Sequence, residues 1–273
     1  MADYRFDTPR PVQLAIEIGR GSVQVTATET TGTEVLITGR DADLCEVRQD
    51  GTRIAIKGPK QRSLFSGGDR LDVDVTVPTG SDVAVRTGSA DVRLDGTIAS
   101  GQVKSGSGEV VVDAATGPVQ VETGSGDVQV RDAQGALQVK SGSGDVAVRE
   151  VGGSLMVSTG SGDVQVSTTH ASCVVKTGSG DLQVGEAESD LSFATGSGDL
   201  VVRTAHRGRL TAKGASGDMH VGVPAGLPVW TDISTVSGEI RSSLTGAGEP
   251  EPGAEHLELR AKTVSGDVVL TQA

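Results

Sequence analysis

The chain has 273 residues, 39 of them glycine, with aromatics at 2% and a formal net charge of −12. The acidic balance argues against sequence-independent nucleic-acid binding, which needs a basic surface, and the scarcity of rings leaves Val, Leu and Ala to build the core. Glycine does not fall at every third position, which excludes collagen, and it alternates with Val-rich runs rather than filling polar tracts, which argues against disorder.

In chain order, residues 1–80 read as irregular strands: Val12–Ile18, Ser22–Val25, Glu34–Ile37, Arg53–Ile56 and Leu71–Val77. Gly58-Pro59 and Ser66-Gly67-Gly68-Asp69 mark loops. The segment reads as an irregular β cap over the first rung, as stacked repeats require, or as a separate binding module. The start, Met1-Ala2-Asp3-Tyr4-Arg5-Phe6-Asp7, has no apolar stretch of signal-peptide type, and no run of 18 apolar residues follows. Cytoplasmic location without membrane insertion is therefore expected.

From residue 81 a ruler takes over. Asp91, Glu109, Asp127, Asp145, Asp163, Asp181 and Asp199 recur every 18 positions in one phrase, Thr123-Gly124-Ser125-Gly126-Asp127-Val128-Gln129-Val130 in one copy and Thr159–Val166 two copies later. A fixed period means stacked copies of one unit. Within it, Gly126-Asp127-Val128-Gln129-Val130-Arg131 and Gly135-Ala136-Leu137-Gln138-Val139-Lys140 both alternate apolar and polar residues, so each unit supplies two short strands with one buried face. Stepping six from Val128 lands on Gln134 and Lys140, both polar, which disfavours a triangular hexapeptide coil. The expected fold is all-β: a parallel β-solenoid (β-helix) with 18-residue rungs and two sheets about 10 Å apart, with a short third face at the Thr-Gly-Ser-Gly corner as the alternative, right-handed by analogy with parallel crossovers. Four inward columns run Val92 to Leu200, Leu94 to Val202, Val85 to Phe193 and Val83 to Leu191, the last interrupted by Gly101 and Cys173. The glycines of the corner (Gly124, Gly126, Gly142, Gly144, Gly160, Gly162, Gly178, Gly180) are expected to turn the chain through positive φ.

Residues 81–204 obey the ruler; residues 205–273 loosen it. The phrase returns at Ser216-Gly217-Asp218, Ser237-Gly238-Glu239 and Ser265-Gly266-Asp267, with loops at Val223–Pro228 and Gly246–Gly253. Trp230, just past the first loop, reads as a contact residue or as a plug for a wider core end. The chain stops three residues after Leu270, which points to an uncovered last rung able to recruit another chain.

The acidic column is the candidate site. Stacked carboxylates about 4.8 Å apart repel by about 1 kcal/mol in water, so hydrogen bonds from turn amides or a weakly held cation should offset them. The calcium β-roll phrase Gly-Gly-x-Gly-x-Asp differs from Gly-Ser-Gly-Asp-Val, where the Asp comes one place early. The hydroxyl column Thr87, Ser105, Thr123, Ser141, Thr159, Thr177, Thr195 sits beside the corner glycines. Cys45 and Cys173 and the four histidines show no metal-ligand spacing; Cys173 takes a core position. No nucleophile elbow or phosphate loop is present, so no catalytic residue, metal or cofactor is assigned.

The tandem Thr-Gly-Ser-Gly-Asp-Val-x-Val units, preceded by Val75-Thr76-Val77-Pro78-Thr79-Gly80, resemble the bacterial putative-adhesin β-strand-repeat family over residues 70–273. Phe6-Asp7-Thr8-Pro9 and the missing signal look like its actinobacterial cytoplasmic members. The resemblance implies a β-solenoid without catalytic residues. The expected role is a non-enzymatic structural or interaction protein, a rigid scaffold that engages a protein partner or its own copies as a dimer or end to end. The alternatives are a surface adhesin or cation-dependent binder, and a polysaccharide-acting β-helix enzyme with its cluster near Trp230.

Overall fold

The computed structural model describes residues 1–59, 70–245 and 255–273; the loops read at Ser66–Asp69 and Gly246–Gly253 lie outside them. Contacts divide the chain into two units, Met1–Gly135 and Ala136–Ala273.

The first unit carries β1 (Ala2–Asp7), β2 (Gln13–Thr28), β3 (Gly32–Thr38), β4 (Glu46–Asp50), β5 (Arg53–Lys57), β6 (Leu71–Pro78), β7 (Asp82–Ile98), β8 (Ser100–Ser105), β9 (Val110–Ala115), β10 (Val119–Thr123) and β11 (Val128–Ala133). From β7 onward the rungs pair parallel at the expected 18-residue offset, Val103 beside Val121 and Val110 beside Val128. Spatial order departs from chain order before that. β2 lies between β7 on one side and β5 with β6 on the other, parallel to all three. Its inward residues Leu14, Ile16, Ile18, Val23 and Val25 are buried, as the strands on both sides require. β1, β3 and β4 then add antiparallel: β1 to β3, β3 to β6 and β4 to β5.

The second unit carries β12 (Leu137–Ser141), β13 (Val146–Val151), β14 (Leu155–Thr159), β15 (Val164–Thr169), β16 (Cys173–Thr177), β17 (Leu182–Ala187), β18 (Leu191–Ala194), β19 (Leu200–Ala205), β20 (Gly208–Lys213), β21 (Met219–Val223), β22 (Val229–Thr235), β23 (Ile240–Ser242), β24 (Leu257–Thr263) and β25 (Val268–Gln272). Like residues stack in parallel register, Leu155 beside Cys173 and Val164 beside Leu182. Cys173 is fully buried in its column, and burial pushes its thiol pKa up to about 12. Together these registers make the protein an all-β parallel solenoid of two-strand rungs.

The four expected columns are buried, and a fifth joins them. Each first strand stops alternating at its end, so Ala115 and Ala133 in one unit and Val151, Thr169, Ala187 and Ala205 in the other point inward. The bend lies at the corner opposite the glycine phrase, where the sequence reading placed no face. Gly101 leaves no gap in its column: a Cβ there would lie 3.1 Å from Ile98 Cδ1, so the neighbouring Ile fills the space.

Candidate interaction site at the uncovered terminal rung

The last rung in space is not the last rung in sequence. β20 pairs with β24 and β21 with β25, at Leu210 beside Leu259 and Val221 beside Leu270. β24 and β25 in turn carry β22 and β23, at Thr231 beside Leu259 and Ile240 beside Val268. The C-terminal strands are therefore interior, and the expectation that the chain's own end leaves the open rung is corrected: the uncovered rung is β22 with β23. The inward residues explain the order. Leu257, Leu259, Ala261, Val268 and Leu270 are fully buried, whereas the β22–β23 rung offers Val229, Thr231, Ile233, Ile240 and Ser242. The rung with a hydroxyl in each inward row goes where water can reach it.

Among the described residues, β22 and β23 have a neighbouring strand on one side only. Ile240 is 50% exposed, and Val229 and Ile233 are half-buried. An open cavity of about 320 Å³ lies over them, lined by Leu227, Val229, Thr231, Ile233, Ile240 and Leu244 among others. The outward face holds opposite charges on the two strands. Asp232 stands exposed on β22 beside Arg260 of β24, whose guanidinium pairs with Glu258 instead. Arg241 stands on β23 beside Glu239 (2.6 Å) and Asp267 (3.3 Å). Trp230 does not plug the core. It lies outward, half-exposed, with the Arg260 guanidinium 5.5 Å from its ring centroid, a cation–π pairing at the edge of the rung.

The acidic ladder has a different geometry from the one expected. The carboxylates of Asp91, Asp145, Asp163, Asp181, Asp199, Asp218 and Asp267 reach along the stack rather than into their own turns. In the first unit the Glu109 N–H donates to Asp91 Oδ1 at 3.0 Å, and Gln129 Nε2 donates to Glu109. In the second, the N–H groups of Asp163, Asp181, Asp199 and Asp218 donate to Oδ1 of Asp145, Asp163, Asp181 and Asp199 at 2.8–2.9 Å. The ladder ends in spatial order, with Asp267 N–H on Asp218 and Glu239 N–H on Asp267. Each backbone donor thus partly offsets the like charge stacked beside it. Among the described residues no group of three or more His, Cys, Asp or Glu side chains is placed to hold a metal ion.

Within the turn the acceptor is the hydroxyl column. Gly126, Gly144, Gly162 and Gly180 donate their N–H groups to Thr123, Ser141, Thr159 and Thr177 at 2.8–3.1 Å, and these hydroxyl residues are buried. The corner glycines Gly124, Gly126, Gly160, Gly162, Gly178 and Gly180 are not in the left-handed region, contrary to expectation. Close stacking is what requires them: a Cβ on Gly126 would lie 2.0 Å from the Gly108 carbonyl oxygen, and one on Gly178 would lie 2.4 Å from that of Gly160. Gly142 and Gly144 supply the carbonyls that Gly160 and Gly162 approach in the same way. Among the glycines of the recurring phrase, positive φ enters only in the stretched copies, at Gly217 and Gly266.

At another corner of the second unit, His170 lies between Glu188 (2.8 Å) and Glu150 (3.1 Å), and His206 lies on Glu186 (2.6 Å). The hydrogen bond to Glu188, then that to Glu150, holds the His170 pKa above its usual value. These groups are solvent-facing and hydrogen-bond along the stack.

Sequence reasoning named Trp230 and the ladder but missed Asp232, Ile233, Ile240 and Arg241. The signal available was the pair of inward hydroxyls, Thr231 and Ser242, which set this rung apart from its neighbours.

A family model described as Toastrack DUF4097 matches residues 13–271. No curated protein matches the chain. Among solved structures, it is similar to a putative adhesin from Bacteroides fragilis at 11% identity, covering 98% of this chain and 96% of that one with a TM-score of 0.42. It is similar to a putative adhesin from Parabacteroides merdae at 10% identity, 99% and 96% coverage and TM-score 0.41. A third, a putative lipid binding protein from Parabacteroides distasonis, shares 12% identity with 99% and 96% coverage and a TM-score of 0.39.

Proposed function

This chain belongs to the Toastrack DUF4097 family, and we propose that it is a non-enzymatic β-solenoid scaffold that engages a protein partner by strand addition to its uncovered terminal rung. The observation that carries this reading is the one-sided pairing of β22 and β23, with Val229, Ile233 and Ile240 in an open cavity. A row of unpaired amides and carbonyls is a template for another strand, and alternate apolar side chains give that strand a register. Covering a Val or Ile side chain contributes about 1.5–3 kcal/mol before the cost of association. The recurrent carboxylates, the natural acid–base candidates, already accept backbone amides, which supports a structural rather than a chemical role for them. No helix among the described residues is long and apolar enough to cross a membrane; a cytoplasmic scaffold is the location this reading takes.

Hydrogen–deuterium exchange tests it. On dilute, monomeric protein, alternate amides of Val229–Thr235 should exchange near the unstructured rate while those of Leu257–Thr263 stay protected. Equal protection of the two strands would mean that the rung is already covered.

A further inference from the structure

We infer that the strand partner of this rung is a second copy of the same chain, placed by a two-fold axis so that β22 of each protomer pairs antiparallel with β23 of the other. The inference rests on the open-rung reading and names its occupant.

Two identical ends that meet head to head are related by a two-fold perpendicular to the stacking direction. That operation reverses strand direction, so the pairs it makes are antiparallel, and every contact occurs twice. In an antiparallel pair, directly opposite residues share a face. Inward residues of β22 are Val229, Thr231 and Ile233; inward residues of β23 are Ile240 and Ser242, with Leu244 following. Setting Asp232 opposite the partner's Arg241 fixes everything else. Ile233 then faces the partner's Ile240, Thr231 faces the partner's Ser242, and Val229 faces the partner's Leu244. Aliphatic meets aliphatic, hydroxyl meets hydroxyl and anion meets cation, in one register with no adjustable shift. Pairing each strand with its own copy, centred on Asp232 or on Arg241, would instead set like charge against like charge. Charge complementarity therefore favours the crossed arrangement. Asp232, whose in-register neighbour Arg260 is engaged by Glu258 and Trp230, gains a cation in it.

The test is sedimentation equilibrium on the full chain from low to high micromolar concentration, with charge-swapped variants. The expected result is a reversible monomer–dimer equilibrium with no larger species. Asp232→Arg and Arg241→Asp should each weaken the dimer about tenfold, and the double variant should return it to within about threefold of the parent, because the pair is exchanged rather than removed. Arg241 also contacts Glu239 and Asp267, and Asp232 stands beside Arg260 in register, so circular dichroism accompanies both single variants to show that the rung itself stays folded. A strict monomer, species beyond the dimer, or single variants that the double fails to rescue would overturn the inference. Exchange on dilute, monomeric protein separates the two levels: a monomer with fast-exchanging β22 amides retains the open-rung reading and loses only the dimer, whereas a monomer with protected β22 amides loses both.

Discussion

Gly162 shows what the corner phrase demands of single residues. A Cβ at this position would lie 2.0 Å from the Gly144 carbonyl oxygen and 3.1 Å from Thr159 Oγ1, and backbone cannot give way there. Gly162→Val should cost about 3 kcal/mol through overpacking. Gln165→Val, on the exposed face of β15, should move stability by less than about 0.5 kcal/mol. Thermal melts of the two variants decide it, and equal losses would remove the close-stacking account. The neighbouring Asp163 makes a second case. Its carboxylate accepts the Asp181 N–H at 2.9 Å while its own N–H donates to Asp145. Asp163→Ala should lose about 1 kcal/mol with that acceptor. Asp163→Asn keeps an oxygen and relieves one stacked charge, so denaturant titration should place it within about 0.5 kcal/mol of the parent. An Asn variant as weak as Ala would mean that charge, not hydrogen bonding, is what the ladder needs. At this scale the sequence showed which positions recur but not where each side chain bonds. Thr and Ser fit a corner facing inward or outward equally well, and only the stack reveals that they cap the Gly amides and leave the Asp carboxylates free to reach the next rung.

Rungs are the elements of this fold, and their burial follows spatial rather than sequence position. Leu259 is fully buried between β20 and β22, while Ile233 on β22 faces an open cavity. Leu259→Ala should therefore cost about 2–5 kcal/mol, and Ile233→Ala about 1 kcal/mol or less, since a half-exposed side chain loses only part of its transfer energy. Chemical denaturation of both gives the answer; the reverse ranking would restore sequential stacking. The two-strand rung and its four main columns were legible because alternation and an 18-residue period leave one way to bury Val and Leu. The fifth column was not, because Asp132 and Ala133 break the alternation where the strand bends and burial moves from the expected residue to its neighbour.

For the molecule as a whole, the decisive property is that any rung with the same columns can stack on any other. Parallel pairing between rungs is non-local, and the 18-residue ruler carries no instruction about which copy lies beside which once loops allow a step back. Both departures from chain order occur outside the regular stretch, with β2 between β5/β6 and β7, and with β24/β25 between β20/β21 and β22/β23. In the C-terminal case the more aliphatic rung is inside, Leu257, Leu259, Ala261, Val268 and Leu270 against Val229, Thr231, Ile233, Ile240 and Ser242. An open rung in the C-terminal region is legible in the sequence, but which strands form it depends on the inward hydroxyls Thr231 and Ser242, not on chain order. Disulfide trapping tests this ordering most directly. Lys262 lies beside Lys213 on one side and beside Ser234 on the other, so Lys213 and Ser234 stand two rungs apart, about 9.6 Å at the usual strand spacing and beyond disulfide reach. The native cysteines, Cys45 and Cys173, are buried and do not interfere. The account predicts that Lys213→Cys with Lys262→Cys oxidises readily within one chain and that Lys213→Cys with Ser234→Cys does not; an efficient 213–234 disulfide with none at 213–262 would contradict it.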